Sequence, residues 1–171
     1  MKELISFKDV CLANSLSENG YDKHPTYDLT IGFNEDTKLV SLMSNVKKED
    51  LFHDTYVYDS SQSKTMVKHF ENIATKLKKF KHGNVLEIGS NSGIFIKHFL
   101  HSSTPVAVEP CSNFATRTEG IGIKTYPNYW DSTLANTIVK ECGKQDLIYS
   151  ANTISHVHNL RDTLLAAKNT L

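Results

Sequence analysis

Cysteine is scarce in this chain, with only Cys11, Cys111 and Cys142 among 171 residues. An odd number of widely separated cysteines makes a disulfide framework implausible, and no pair has the CxxC spacing of a zinc site. An excess of either charge is also missing: 19 Lys and Arg balance 19 Asp and Glu. That balance argues against a nucleic-acid or anionic-membrane surface, both of which need a basic excess. No apolar run approaches the roughly 18 residues of a membrane span. Charges interrupt the first residues, Met1-Lys2-Glu3-Leu4-Ile5-Ser6-Phe7-Lys8-Asp9, so no secretory signal is expected there. Internal repeats and low-complexity stretches are absent as well. The expectation is a reduced cytoplasmic protein whose 39% hydrophobic and 22% charged residues sustain a packed core.

What is present changes character along the chain. Residues 1–55 are polar and turn-rich, with Asn14, Asn19-Gly20, Pro25, Gly32 and Asn34-Glu35-Asp36 punctuating short alternating runs such as Lys38-Leu39-Val40-Ser41-Leu42. They predict a small module of short strands and turns. Residues 62–80 predict a helix, because Met66, Phe70, Ile73 and Leu77 recur on one face while Lys64, Lys68, Lys76, Lys78 and Lys79 lie mostly off it.

From residue 83 onward strands and helices alternate. Strands are predicted at 85–88, 105–109, 122–126 and 146–151, and helices at 94–100, 112–119, 132–142 and 160–171. Alternation of this kind means crossover units and a parallel sheet, whose strand C-terminal ends share the edge where ligands bind. The fold class expected is α/β, a partial Rossmann-like parallel sheet of about four strands, with residues 1–55 as an N-terminal module and 56–171 as the main domain.

The strongest local signal is Glu87-Ile88-Gly89-Ser90-Asn91-Ser92-Gly93, where a strand turns into the following helix. Glycine serves a tight turn, and it allows a ligand to approach where no Cβ intrudes. The dinucleotide fingerprint GxGxxG would want glycine at Asn91, so pyrophosphate binding is disfavoured. Glu109 closes the next strand, where an acidic side chain can accept both hydroxyls of a ribose.

Val85-Leu86-Glu87-Ile88-Gly89-Ser90-Asn91-Ser92-Gly93 together with Val108-Glu109-Pro110 resembles the S-adenosylmethionine motifs of class I methyltransferases. Tyr56-Val57-Tyr58-Asp59-Ser60-Ser61-Gln62-Ser63-Lys64-Thr65-Met66 with His69-Phe70, and Asn152-Thr153-Ile154-Ser155-His156-Val157, resemble more narrowly the sugar C-methyltransferase branch, which acts on nucleotide-linked deoxyketosugars. The resemblance spans residues 51–171, with a fainter trace at Leu12-Ala13-Asn14. It implies that Glu87, Gly89, Ser90, Asn91 and Gly93 surround the amino-acid end of the cofactor, that Glu109 holds its ribose and that Pro110 lies on the adenine side. It also implies that Asn152 and His156 face the methyl donor and the sugar, and that Tyr56 or Tyr58 enters as a lid or substrate contact. C-methylation removes a proton beside a ketone before carbon attacks the sulfonium methyl, and a histidine can move that proton.

Three departures qualify the likeness. Relatives usually begin with a zinc module on two cysteine pairs; here only Cys11 is nearby, so no metal is expected. Ser92 stands where the branch commonly has aspartate. The principal base of the family lies in a Tyr-x-Glu-His segment beyond a fifth strand, and none follows here. The expectation is therefore an incomplete domain whose fourth-strand edge is covered by another element or by another copy, giving a homo-oligomer. Two other readings share the fold: a non-catalytic cofactor-binding or scaffold protein, and a nicotinamide-dependent oxidoreductase. The resemblance implies no role for His158, which is expected as a surface or helix-capping residue, and His24, His53, His69, His82, His98 and His101 show no mutual metal-ligand spacing and are expected at the surface or its boundary.

Overall fold

A computed structural model describes residues 1–15, 25–81 and 83–171, so the expected turn at Asn19-Gly20 and the placements of His24 and His82 lie outside the described residues. The chain divides into two compact units, Met1–Phe52 and His53–Leu171.

The first unit is an antiparallel sheet in the order β1-β2-β3, formed by Lys2–Cys11, Thr26–Phe33 and Val40–Leu42. A single helical turn, α1 at Lys48–Leu51, follows. Pairing register decides which side chains share a face. Ile5, Phe7 and Val10 stand opposite Ile31, Leu29 and Tyr27, while Leu42 and Val40 stand opposite Ile31 and Phe33. One face is consequently apolar. The other carries the Ser6–Thr30 hydroxyl pair at 2.9 Å and the Lys8–Asp28 ion pair at 2.5 Å. Two register irregularities in β1 bend that strand.

The second unit is built on a four-stranded parallel sheet in the order β6-β5-β4-β7, with β4 at Asn84–Ile88, β5 at Thr104–Val108, β6 at Lys124–Tyr126 and β7 at Leu147–Tyr149. Strands β4 and β5 read as nearly unbroken apolar runs because both faces of the sheet are covered. On one face, α2 (Lys64–Leu77) lays Phe70 and Ala74 over Val85 and Ala107, together with Phe95 and Phe99. On the other, Trp130 with α4 (Ser132–Cys142) and α5 (Leu160–Thr170) covers Leu86, Ile88, Val106 and Val108. Helix α3 (Ser112–Gly120) links β5 to β6. The result is a Rossmann-like α/β arrangement, as the alternating pattern predicts.

Local chemistry sets the helix starts. Ser63 accepts from the Met66 amide, Asp131 from Leu134 and Asn159 from Asp162, each capping one helix. The lysine-rich side of α2 is exposed as expected. Helix α2 ends at Leu77, three residues earlier than its periodicity suggests.

One expected helix is not formed. Residues 94–100 make only a short 3-10 turn at Ile96–Phe99. The Ile96 N–H is diverted to a carboxyl oxygen of Glu87 at 3.1 Å instead of a backbone carbonyl one turn earlier. Ile94, Phe95, Ile96 and Phe99 are all buried, three of them consecutive, which is a run wider than the apolar stripe of a surface helix. The Phe95 ring stacks on Tyr149 at 3.8 Å between centroids and lies 5.3 Å from Phe99.

Truncation of Phe95 to alanine should therefore cost about 3–5 kcal/mol of stability in the second unit. Urea unfolding followed by the fluorescence of Trp130, the sole tryptophan, measures this directly. A loss under about 1 kcal/mol would mean that the ring stack does not organise the core.

Candidate functional site

The chain passes from β4 to β5 to β6 on one side and then returns to place β7 on the opposite side of β4. The order reverses between β4 and β7, and open α/β sheets form their ligand crevice at the strand C-terminal ends beside such a reversal. The loop 89–93 leaves β4 at this point.

Two backbone features mark the loop. Gly89 and Gly93 have φ of 73° and 71°, values that glycine adopts without a Cβ penalty. Asn91, between them, takes φ 48°, and Asn152, just beyond β7, takes φ 55°. Asparagine is among the few residues that tolerate the left-handed region, and such conformations gather at functional sites. The two asparagines thus lie in the turns that follow the two strands flanking the reversal.

A carboxylate braces the loop from the neighbouring strand. Glu109, 5% exposed, accepts the Asn91 N–H at 2.7 Å through one oxygen and the Cys111 N–H at 2.9 Å through the other. Burial pushes its carboxyl above the ordinary range, and these two N–H groups oppose the shift. Burial also pushes the adjacent Cys111 thiol up, which disfavours a reactive thiolate there. Glu87, 3% exposed, lies within the sheet and holds the Ile96 amide. Its carboxyl is raised well above the carboxylate range, first by burial, against the Ile96 hydrogen bond and with the Glu109 charge adding to the rise.

The remaining expected residues are placed as follows. Ser90 is 2% exposed and its Oγ has no hydrogen-bond partner among the described residues. Pro110 is half-buried between Glu109 and Cys111. Asn152 and His156 are exposed in the segment after β7, and His158 is exposed too. Tyr56 is half-buried with its ring against Phe114 at 6.5 Å, whereas Tyr58 is exposed. Tyr58 nevertheless reaches the loop through its backbone, because its carbonyl accepts from Asn91 Nδ2 at 2.9 Å.

Residue-type reasoning missed three contributors. Thr153 packs directly on Gly89: a Cβ at position 89 would sit 2.2 Å from its Oγ1 and 2.8 Å from its Cγ2. The space that glycine leaves is thus taken by the protein itself. Thr118 stands in the same relation to Gly93, at 2.9 Å, and donates to the Asn91 carbonyl at 3.2 Å. Asp59 accepts from Ser92 Oγ at 2.8 Å and from Arg117 at 2.6 Å. None of these contacts spans a short sequence interval, so no local pattern announces them.

Among the described residues no group of three or more His, Cys, Asp or Glu side chains could hold a metal ion. Likewise, among the described residues no helix is long and apolar enough to cross a membrane. No protein-family model matches the chain, and no curated protein matches it.

Two outcomes follow from this geometry. Gly89→Ala should destabilise the second unit by about 1–3 kcal/mol through backbone strain and collision with Thr153. Adding Thr153→Gly should relieve the steric part, giving a coupling energy of about 0.5–3 kcal/mol in a double-mutant cycle; strict additivity would show that the two residues do not meet. Glu87 supplies a pH dependence. Above its ordinary value near 4.5 the unfolded chain gives up this proton while the folded chain keeps it. Stability therefore falls as pH rises from there towards the folded value, and this component should vanish in Glu87→Gln. Unfolding curves for both proteins between acid and neutral pH, with the same slope in each, would contradict the assignment.

Proposed function

We propose that residues 53–171 are the S-adenosylmethionine-binding part of a class I methyltransferase. The observation that carries this reading is the glycine loop braced by the carboxylate of the next strand, at the point where the strand order reverses. Two features of the site suit the cofactor. Ser90 Oγ is a buried polar atom without a partner among the described residues, and a carboxylate oxygen that accepts one N–H keeps a second lone pair, so Glu109 retains capacity for ribose hydroxyls. Glu87, Gly89, Ser90, Asn91 and Gly93 would surround the amino-acid end, with Pro110 beside the adenine and Asn152 across from them. Thr153 has to withdraw from Gly89 before a ligand can lie there.

When bound, S-adenosylmethionine would supply an electrophilic methyl group. By the resemblance of residues 51–171, the acceptor is a nucleotide-linked deoxysugar methylated at carbon, and a cytoplasmic location accords with such a soluble substrate. His156, exposed next to the reversal point, would take the proton beside the ketone. Tyr56 or Tyr58, from the segment that crosses the loop, would contact the sugar. Self-association along the outer edge of β7, which pairs with β4 on its inner side, belongs to the same proposal.

A second reading has its own support. Thr153 fills the space above Gly89, and Glu109 already holds two amides, an arrangement that suits a binding or scaffold protein without turnover. A methyl-transfer assay on a nucleotide-linked ketosugar separates the two once cofactor binding is measured. A nicotinamide enzyme is disfavoured by Asn91 at the central position of the loop.

Calorimetric titration with S-adenosylhomocysteine tests the cofactor assignment. Saturable binding is expected, with no comparable heat from NAD. Absence of binding at about millimolar ligand, some 4 kcal/mol of affinity, in protein whose folding is established by Trp130 fluorescence, would reject it.

A further inference from the structure

A segment that the proposed cofactor site does not itself include is fastened across the glycine loop. Asp54 accepts from Ser112 Oγ at 2.6 Å, and the Tyr56 carbonyl accepts from Asn113 Nδ2 at 2.9 Å. The Tyr58 carbonyl accepts from Asn91 Nδ2, and both the amide and the hydroxyl of Ser60 donate to Asn91 Oδ1, at 3.0 and 2.9 Å. The strap 54–62 thus engages both the oxygen and the nitrogen of the Asn91 carboxamide while the Asn91 amide is held by Glu109.

Asp59 is the centre of this fastening. One oxygen accepts from the Ser61 amide at 2.9 Å and from Ser92 Oγ at 2.8 Å; the other accepts from Arg117 at 2.6 Å. Its side chain is 9% exposed while that of Arg117 is 59% exposed, so the carboxylate is sheltered and the guanidinium reaches in from solvent. Burial by itself would raise the Asp59 carboxyl, but the Ser61, Ser92 and Arg117 hydrogen bonds outweigh it and hold the group well below the usual carboxylate range. An anion with this many donors joins three elements at once: strap, glycine loop and α3.

We propose that Asp59 is a positioning residue for the glycine loop, clamping the strap 54–62 onto Ser92 and Arg117 so that ligand binding at the loop and ordering of the strap are coupled. This rests on the cofactor reading for the identity of the ligand, but not for the clamp itself. Coupling between two sites is reciprocal. If the clamp strengthens binding at the loop, then ligand must protect the strap by the same factor.

The test uses the full chain as wild type, Asp59→Ala and Asp59→Asn, with S-adenosylhomocysteine as the probe and hydrogen exchange as a second readout. Asn retains an acceptor for Ser61 and Ser92, whereas Ala removes every contact. Without ligand, exchange at the Asn91 amide is expected to rise about tenfold or more in Asp59→Ala and much less in Asp59→Asn. The Ile138 amide in α4 should keep its wild-type rate in both, which separates loss of positioning from loss of the fold. With ligand, Asp59→Ala should bind about tenfold more weakly than wild type, Asp59→Asn should recover most of that loss, and saturation of wild type should slow exchange at Ser61 by a similar factor. Unchanged Asn91 exchange in Asp59→Ala overturns the clamp whether or not the probe binds. Equal affinity in all three proteins overturns the coupling. Failure of wild type to bind the probe removes the cofactor reading and the coupling together, while the exchange rates still decide the clamp.

Discussion

The carboxylate of Glu109 is the constraint on which the C-terminal edge of the parallel sheet depends. It bridges the amides of Asn91 and Cys111, joining the turn after β4 to the turn after β5. A left-handed asparagine between two left-handed glycines would not hold its shape by intrinsic preference. Buried backbone donors demand partners, and a charged acceptor is stronger than a neutral one. The loop is therefore shaped by a residue one strand away, and only secondarily by its own glycines. Burial of that carboxylate against Cys111 adds a cost in desolvation that the two amides offset in part.

Around this brace the contacts form successive tiers. Glu109 fixes the Asn91 backbone, the strap fixes the Asn91 side chain, and Asp59 fixes the strap to Ser92 and Arg117. Thr153 closes the opposite side over Gly89. The ends of β4, β5 and β7, the start of α3 and the segment before α2 thereby become one contiguous patch of contacts. Below it, the Phe95–Tyr149 stack and Glu87 tie the same strands to the core.

Much of this architecture is legible in the sequence because the signals are local. The four parallel strands follow from short apolar runs, and α4 from its periodic apolar residues between Asp131 and Gly143. The glycine turn and the acid that ends β5 are visible as residue types at strand ends. What is not legible depends on distant partners. The diversion of the Ile96 amide to Glu87 turns an expected helix into a 3-10 turn. The need for glycine at 89 comes as much from Thr153, in the segment after β7, as from the turn itself. Asp59 reads as one polar residue in a polar stretch, and only the folded chain brings Ser92 and Arg117 to it.

Asn91 also makes the site chemically mortal. Its amide nitrogen donates to the Tyr58 carbonyl while its amide oxygen accepts from Ser60, so each half of one carboxamide does a different task. Conversion of that carboxamide to a carboxylate, as happens to asparagine during slow hydrolysis, would leave an acceptor facing the Tyr58 carbonyl where a donor is required. The Tyr58 contact would be lost without any mutation in the gene, while Asp59 would still hold the strap to Ser92 and Arg117. Age of the molecule, as well as sequence, would then decide whether this one contact between strap and loop is kept.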